Sequence, residues 1–102
     1  MGFLCRELDD RVIITTGSML MSGIADFRAF ENSLRFYARK QFKKFIIDFG
    51  DCVYIDSHAI ALIITASRRM RMAGTRLIMQ NANQEITELF HAIQINKIIE
   101  IA

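Results

Sequence analysis

The chain has 102 residues, 52% of them apolar and 24% charged, and its formal net charge is +2. That is enough apolar material for one globular domain with a real core, and it excludes a disordered chain. The basic residues are scattered apart from Arg68, Arg69 and Arg71, so the basic stripe of a nucleic-acid binder is missing.

Phe3 to Leu8 reads as a short first strand, and Asp9-Asp10 as the turn into a second, Arg11 to Thr16, rich in β-branched residues. The two are expected to pair as a hairpin. Gly17-Ser18 ends the second strand. Met19 to Gly23 is then a loop carrying two methionines with an exposed look, Met19 and Met21. The first helix is expected from Ile24 to Lys40, with Phe27, Phe30, Leu34 and Tyr37 as its core stripe. Phe45-Ile46-Ile47, leading to Asp48-Phe49, is continuously apolar and partly β-branched, as in a strand covered on both faces. Gly50-Asp51 breaks it.

From Ala59 the period becomes helical, with Ala59, Leu62, Ile63, Ala66, Met70 and Ala73 on one face. Asp56 and Ser57 both favour helix N-caps, and Gly74 suits the C-terminal stop. Thr75 to Gln80 is the next strand. Asn81-Ala82-Asn83 is a loop ending in a cap, and Gln84 to Ile93 is the last helix, with Ile86, Leu89, Phe90 and Ile93 on its core face. Ile98 to Ile101 closes the chain as a strand. Strands alternating with helices imply parallel neighbours joined by right-handed crossovers. The fold class is therefore α/β, a mixed sheet with an N-terminal hairpin and helices packed against it.

Cys5 and Cys52 stand in no metal-like spacing and read as free thiols of a reducing compartment. His58 and His91 are the only histidines, and no ligand set accompanies them, so neither a metal nor another cofactor is expected. Met1 to Asp10 lacks the apolar segment of a signal peptide, and no apolar run approaches a membrane span. The expected location is cytoplasmic, without membrane insertion.

The order of elements, together with Asp56-Ser57-His58-Ala59, resembles the STAS family, whose best-known soluble members are bacterial anti-sigma factor antagonists. The resemblance extends over Ile47-Asp48-Phe49, Ile55-Asp56-Ser57, Ala73-Gly74-Thr75-Arg76-Leu77, Glu88-Leu89-Phe90 and Ile95-Asn96-Lys97-Ile98. In that family the motif reads Asp-Ser-Ser-Gly or Asp-Thr-Ser-Gly. Its second hydroxyl is phosphorylated by a kinase that doubles as the anti-sigma factor, and phosphorylation switches binding off. A phosphate adds nearly two negative charges at a helix end inside the interface. Here the acceptor position is His58 and the following glycine is Ala59. An acidic segment often present after the second strand is replaced by Gly17-Ser18-Met19-Leu20.

The resemblance implies a non-enzymatic regulator that binds a protein partner, a kinase-like anti-sigma factor, through a surface of Met19, Met21, Asp56, Ser57, His58, Ala59, Ile60, Ile64 and Arg68. An atypical or absent phospho-switch goes with it. Ser57 reads as a helix cap or as a displaced phosphoacceptor, the cap being the commoner role. Ile60, Ile64 and Met72, beside Arg68, fit either a wider core or an apolar partner patch. Asp56-Ser57-His58-Ala59-Ile60-Ala61-Leu62 also resembles the STAS subunit of lipid-transporting ABC systems, whose partner is a transporter ATPase. A small hydrolase or nucleotide-binding enzyme using Ser57 and His58 lacks a base–orienter arrangement in the sequence. Asp48 and Asp56 as paired catalytic carboxylates likewise lack an acid–base partner.

Overall fold

A computed structural model describes residues 4–24 and 27–102. β1 (Leu4–Leu8) and β2 (Arg11–Thr15) form the expected hairpin, antiparallel with Leu8 opposite Arg11. β3 (Met19–Leu20) and α1 (Phe27–Ala38) follow. β4 (Lys44–Asp48) lies parallel to β2, with Val12 opposite Phe45 and Ile14 opposite Ile47. After β5 (Tyr54–Ile55) and α2 (Ser57–Met72), β6 (Arg76–Gln80) lies parallel to β4. α3 (Gln84–Ala92) and a 3-10 turn (Ile95–Lys97) lead to β7 (Glu100–Ile101), parallel to β6. The main sheet has the order β1-β2-β4-β6-β7. Each parallel step needs a long crossover, and one helix supplies each. The expected mixed α/β sheet with an N-terminal hairpin is what the chain forms.

Side chains alternate across the strands. Val12, Ile14, Phe45, Ile47, Leu77 and Met79 share one face and pack with buried residues of all three helices, among them Phe30, Leu34, Ile63, Met70, Ile86 and Phe90. Ile46 and Ile78 face the other way, stand outside that cluster and are still buried. The run in β4 is therefore buried on both faces as expected, although the helices supply cover on one.

Several boundaries differ from the sequence reading. Phe3, at the expected start of the first strand, and positions 25 and 26 of the expected first helix lie outside the described residues. α1 ends at Ala38, because Arg39 N and Lys40 N donate back to the carbonyls of Phe36 and Tyr37. Met19 to Gly23 is not all loop: β3 pairs in parallel with β5, Met19 opposite Tyr54. Two-residue strands are too short for a period of two to register.

At the C-terminal end, Leu89 and Ile93 are exposed rather than core, and α3 buries Ile86 and Phe90. Gln94 takes a left-handed conformation, φ 61°, which turns the chain so that Ile95 and Ile99 fill the core instead. Ile98 is exposed, and the last strand starts at Glu100. Gly74 ends α2 as expected. With φ +87° it lets Thr75 N donate to Met70 O at 2.8 Å and Gly74 N to Arg71 O at 3.0 Å, which satisfies two end carbonyls. Ala73, expected on the core stripe, is the exposed C-cap of this arrangement.

Candidate functional site

The site forms where β3 and β5 meet the N-terminus of α2. Val53 N donates to Ser18 O at 2.7 Å and Asp56 N to Leu20 O at 3.2 Å, which fastens the two short strands together. The loop before them is organised by two polar side chains. Asp48 accepts from Gly50 N at 2.8 Å and from Asn81 Nδ2 at 3.2 Å. Asn83 caps α3 through Ile86 N at 2.9 Å and donates to Cys52 O at 3.2 Å. Asp48 is thus a turn organiser.

Asp56 is the N-cap of α2, with extended backbone at φ −102° and ψ 172°. Its Oδ1 accepts from Ala59 N at 2.8 Å, and its Oδ2 accepts from Ser22 N at 3.0 Å and Ser22 Oγ at 3.1 Å. Burial works to raise this carboxyl. The hydrogen bonds from Ala59 and Ser22, with the charge of nearby His58, outweigh burial and hold it below the usual range. The cap reading of Ser57 is corrected here. Asp56 occupies the cap because its carboxylate reaches both the helix amide and the Ser22 loop, and Ser57 becomes the exposed first residue of the helix.

His58 is also exposed, and its ring meets Phe27 of α1 edge-on at 5.3 Å between centroids. Ala59 is fully buried, with its amide on Asp56. Met19 is 42% exposed, while Met21 is half-buried. The sequence reading missed Val53, 62% exposed just before β5, and Tyr54, 50% exposed on β5 opposite Met19. An apolar residue left exposed in a strand too short to show a period gives little signal. The structure therefore brings Met19, Asp56, Ser57 and His58 together and adds Val53 and Tyr54.

Ile60 and Ile64 are half-buried and pack against the core cluster. Arg68 and Met72 are exposed further along the helix. Arg68 lies eleven residues beyond Ser57, roughly 16 Å at 1.5 Å per residue. The described residues hold no group of three or more His, Cys, Asp or Glu fit to bind a metal. Among them, no helix is long and apolar enough to cross a membrane.

The STAS domain family model matches residues 6–102 of this chain. Solved structures share its fold. One is the Bacillus anti-sigma factor antagonist SpoIIAA in its unphosphorylated form, with 14% identity, TM-score 0.77, and 99% of this chain and 87% of that chain covered. Another is TM1081 of Thermotoga maritima, with 19% identity, TM-score 0.83, and coverage of 97% and 84%. A third is an anti-sigma factor antagonist from Mycobacterium paratuberculosis, with 11% identity, TM-score 0.79, and coverage of 97% and 82%. No curated protein is a significant match.

Proposed function

The chain belongs to the STAS domain family, and from that premise we propose that it is a regulator acting by protein–protein binding. It works in the manner of an anti-sigma factor antagonist, is not an enzyme, and does without the usual hydroxyl switch. The observation that carries this reading is the surface at the start of α2. Exposed Met19 and Tyr54 are paired across β3 and β5, and exposed Val53 precedes Tyr54 on the chain's way into β5. Exposed Ser57 and His58 follow at the start of α2. Asp56 is already committed to Ala59 and Ser22. Large apolar side chains beside a polar helix end are what a binding face needs at its centre and rim.

The hydrolase alternative gains no support, because His58 packs on Phe27 and no hydrogen bond between it and Ser57 is present among the described residues. With His58 at the acceptor position, Ser57 is the only hydroxyl left in the motif and the one candidate for modification there.

The test is His58→Glu. An acid in the first turn of a helix is favourable by about 0.3–1 kcal/mol. Loss of the His58 charge beside Asp56 offsets this, so the melting temperature should change little. A partner docking there would have to desolvate or repel the new charge. Affinity for the partner recovered by affinity capture should fall at least tenfold, about 1.4 kcal/mol, by calorimetric titration. Unchanged affinity overturns the placement of the binding face. The identity of the captured partner, kinase-like anti-sigma factor or transporter ATPase, decides between the two STAS readings.

A further inference from the structure

A groove of about 400 Å³ runs between α1 and α2, with Leu34, Leu62 and Ala66 among its apolar lining and Arg35, Arg39 and Arg69 among its polar lining. His58 lines it too, so it is continuous with the binding face at the start of α2. From His58 to Arg69 along α2 is eleven residues, roughly 16 Å or three helical turns. The lining contains no acidic residue. Arg35 is paired with Glu31 of its own helix at 2.8 Å, whereas the side chains of Arg39 and Arg69 have no ion-pair partner among the described residues.

We propose that this groove seats an acidic amphipathic segment of the protein partner, about three helical turns long. The inference rests on the partner-binding reading above and names the chemistry of the partner. Two features select this occupant. Its charge must be negative, because unpaired guanidinium groups on both walls would repel a basic segment and pair with carboxylates. Its form must be linear, because an open groove between two helices accepts a helix laid along it, with apolar residues at i, i+3 or i+4 and i+7 reaching the floor. The exposed guanidinium groups on both sides of the groove favour such a segment over a small apolar ligand, which needs most of its surface enclosed.

The experiment titrates the isotope-labelled full chain with a synthetic fourteen-residue amphipathic peptide bearing leucines on one face and glutamates on the other. Two further titrants are its lysine counterpart and sodium decanoate. The expected result is saturable amide shifts centred on Leu34, Ala38, Leu62 and Thr65 with the glutamate peptide, and no binding of the lysine peptide. The double variant Arg39→Gln, Arg69→Gln should bind the glutamate peptide at least tenfold more weakly. Its melting temperature should be unchanged, since both side chains are unpaired. Equal binding of both peptides, shifts located elsewhere, or affinity indifferent to the two arginines would overturn the proposal. Groove shifts with decanoate and none with the glutamate peptide would overturn it too, and mark the groove as a small-amphiphile pocket. Failure of the His58→Glu test with the native partner leaves these titrations unaffected, so the two readings fail separately.

Discussion

Asp56→Ala removes three hydrogen bonds with one substitution, which makes it the most informative test of how the site is built. The bond to Ala59 N at 2.8 Å is an N-cap, and losing such a cap typically costs about 1 kcal/mol. The two bonds from Ser22 each contribute about 0.5–1.5 kcal/mol net, but Ser22 is only half-buried and water can replace part of them. The sum is roughly 2 kcal/mol, which for a urea slope near 2 kcal/mol per molar moves the midpoint down by about 1 M. Asp56→Asn separates cap from charge, because asparagine caps helices nearly as well.

The pH dependence supplies the second half of this test. The folded-state pKa of Asp56 is depressed, so its charge-linked stabilisation is fully present above the unfolded carboxylate pKa of about 4. It is lost as pH falls through the lower folded value. Wild type should therefore lose stability more steeply than Asp56→Asn between neutral pH and about pH 3, and the two unfolding curves should approach each other in acid. An Asp56→Ala midpoint within about 0.2 M of wild type at pH 7 would refute the reasoning. It would mean that the carboxylate contacts carry almost no net energy.

Two further outcomes follow from burial. Cys5 is exposed and Cys52 buried, and burial pushes the Cys52 thiol up despite hydrogen bonds that lower it; a thiol-specific chromogenic reagent should therefore titrate one thiol rapidly in the native protein and the second only after denaturant. Ile64 packs half-buried against the core, so Ile64→Asp should destabilise by roughly 1–3 kcal/mol in a urea melt, and a change within about 0.5 kcal/mol would show that Ile64 is surface after all.

The sheet was legible because its signals are strong and local. Val12-Ile13-Ile14 is a β-branched run and Phe45-Ile46-Ile47 a continuously apolar, partly β-branched one, and a strand–helix–strand order leaves few topologies. Gly74 marked the end of α2 because only a left-handed residue closes that turn cheaply. The failures share one cause. Leu89 and Ile93 fit the helical period, yet on a nine-residue helix followed by the Gln94 turn they stay 36% and 45% exposed. Likewise β3 and β5 exist only because Ser18 and Leu20 receive amides from Val53 and Asp56, more than thirty residues away in sequence. Periodicity cannot see pairing of that kind, and so Val53 and Tyr54 went unnoticed while Met19, an isolated oddity in composition, did not.

The same long-range contacts explain why the start of α2 needs no hydroxyl at position 58. The free amides and dipole of a helix N-terminus need an acceptor, and Asp56 provides it at Ala59 while holding Ser22 from the far side. None of these hydrogen bonds uses the side chain of residue 58, whose ring is turned onto Phe27 and whose charge only assists the Asp56 carboxylate. A phosphate placed on Ser57 would enter a turn whose Ala59 amide is already taken, and next to a carboxylate of like sign. The helix would gain less from it than an uncapped helix does. Added negative charge at this end thus has little to offer the fold, and under the partner-binding proposal it would act against a partner that had to strip water from it on contact.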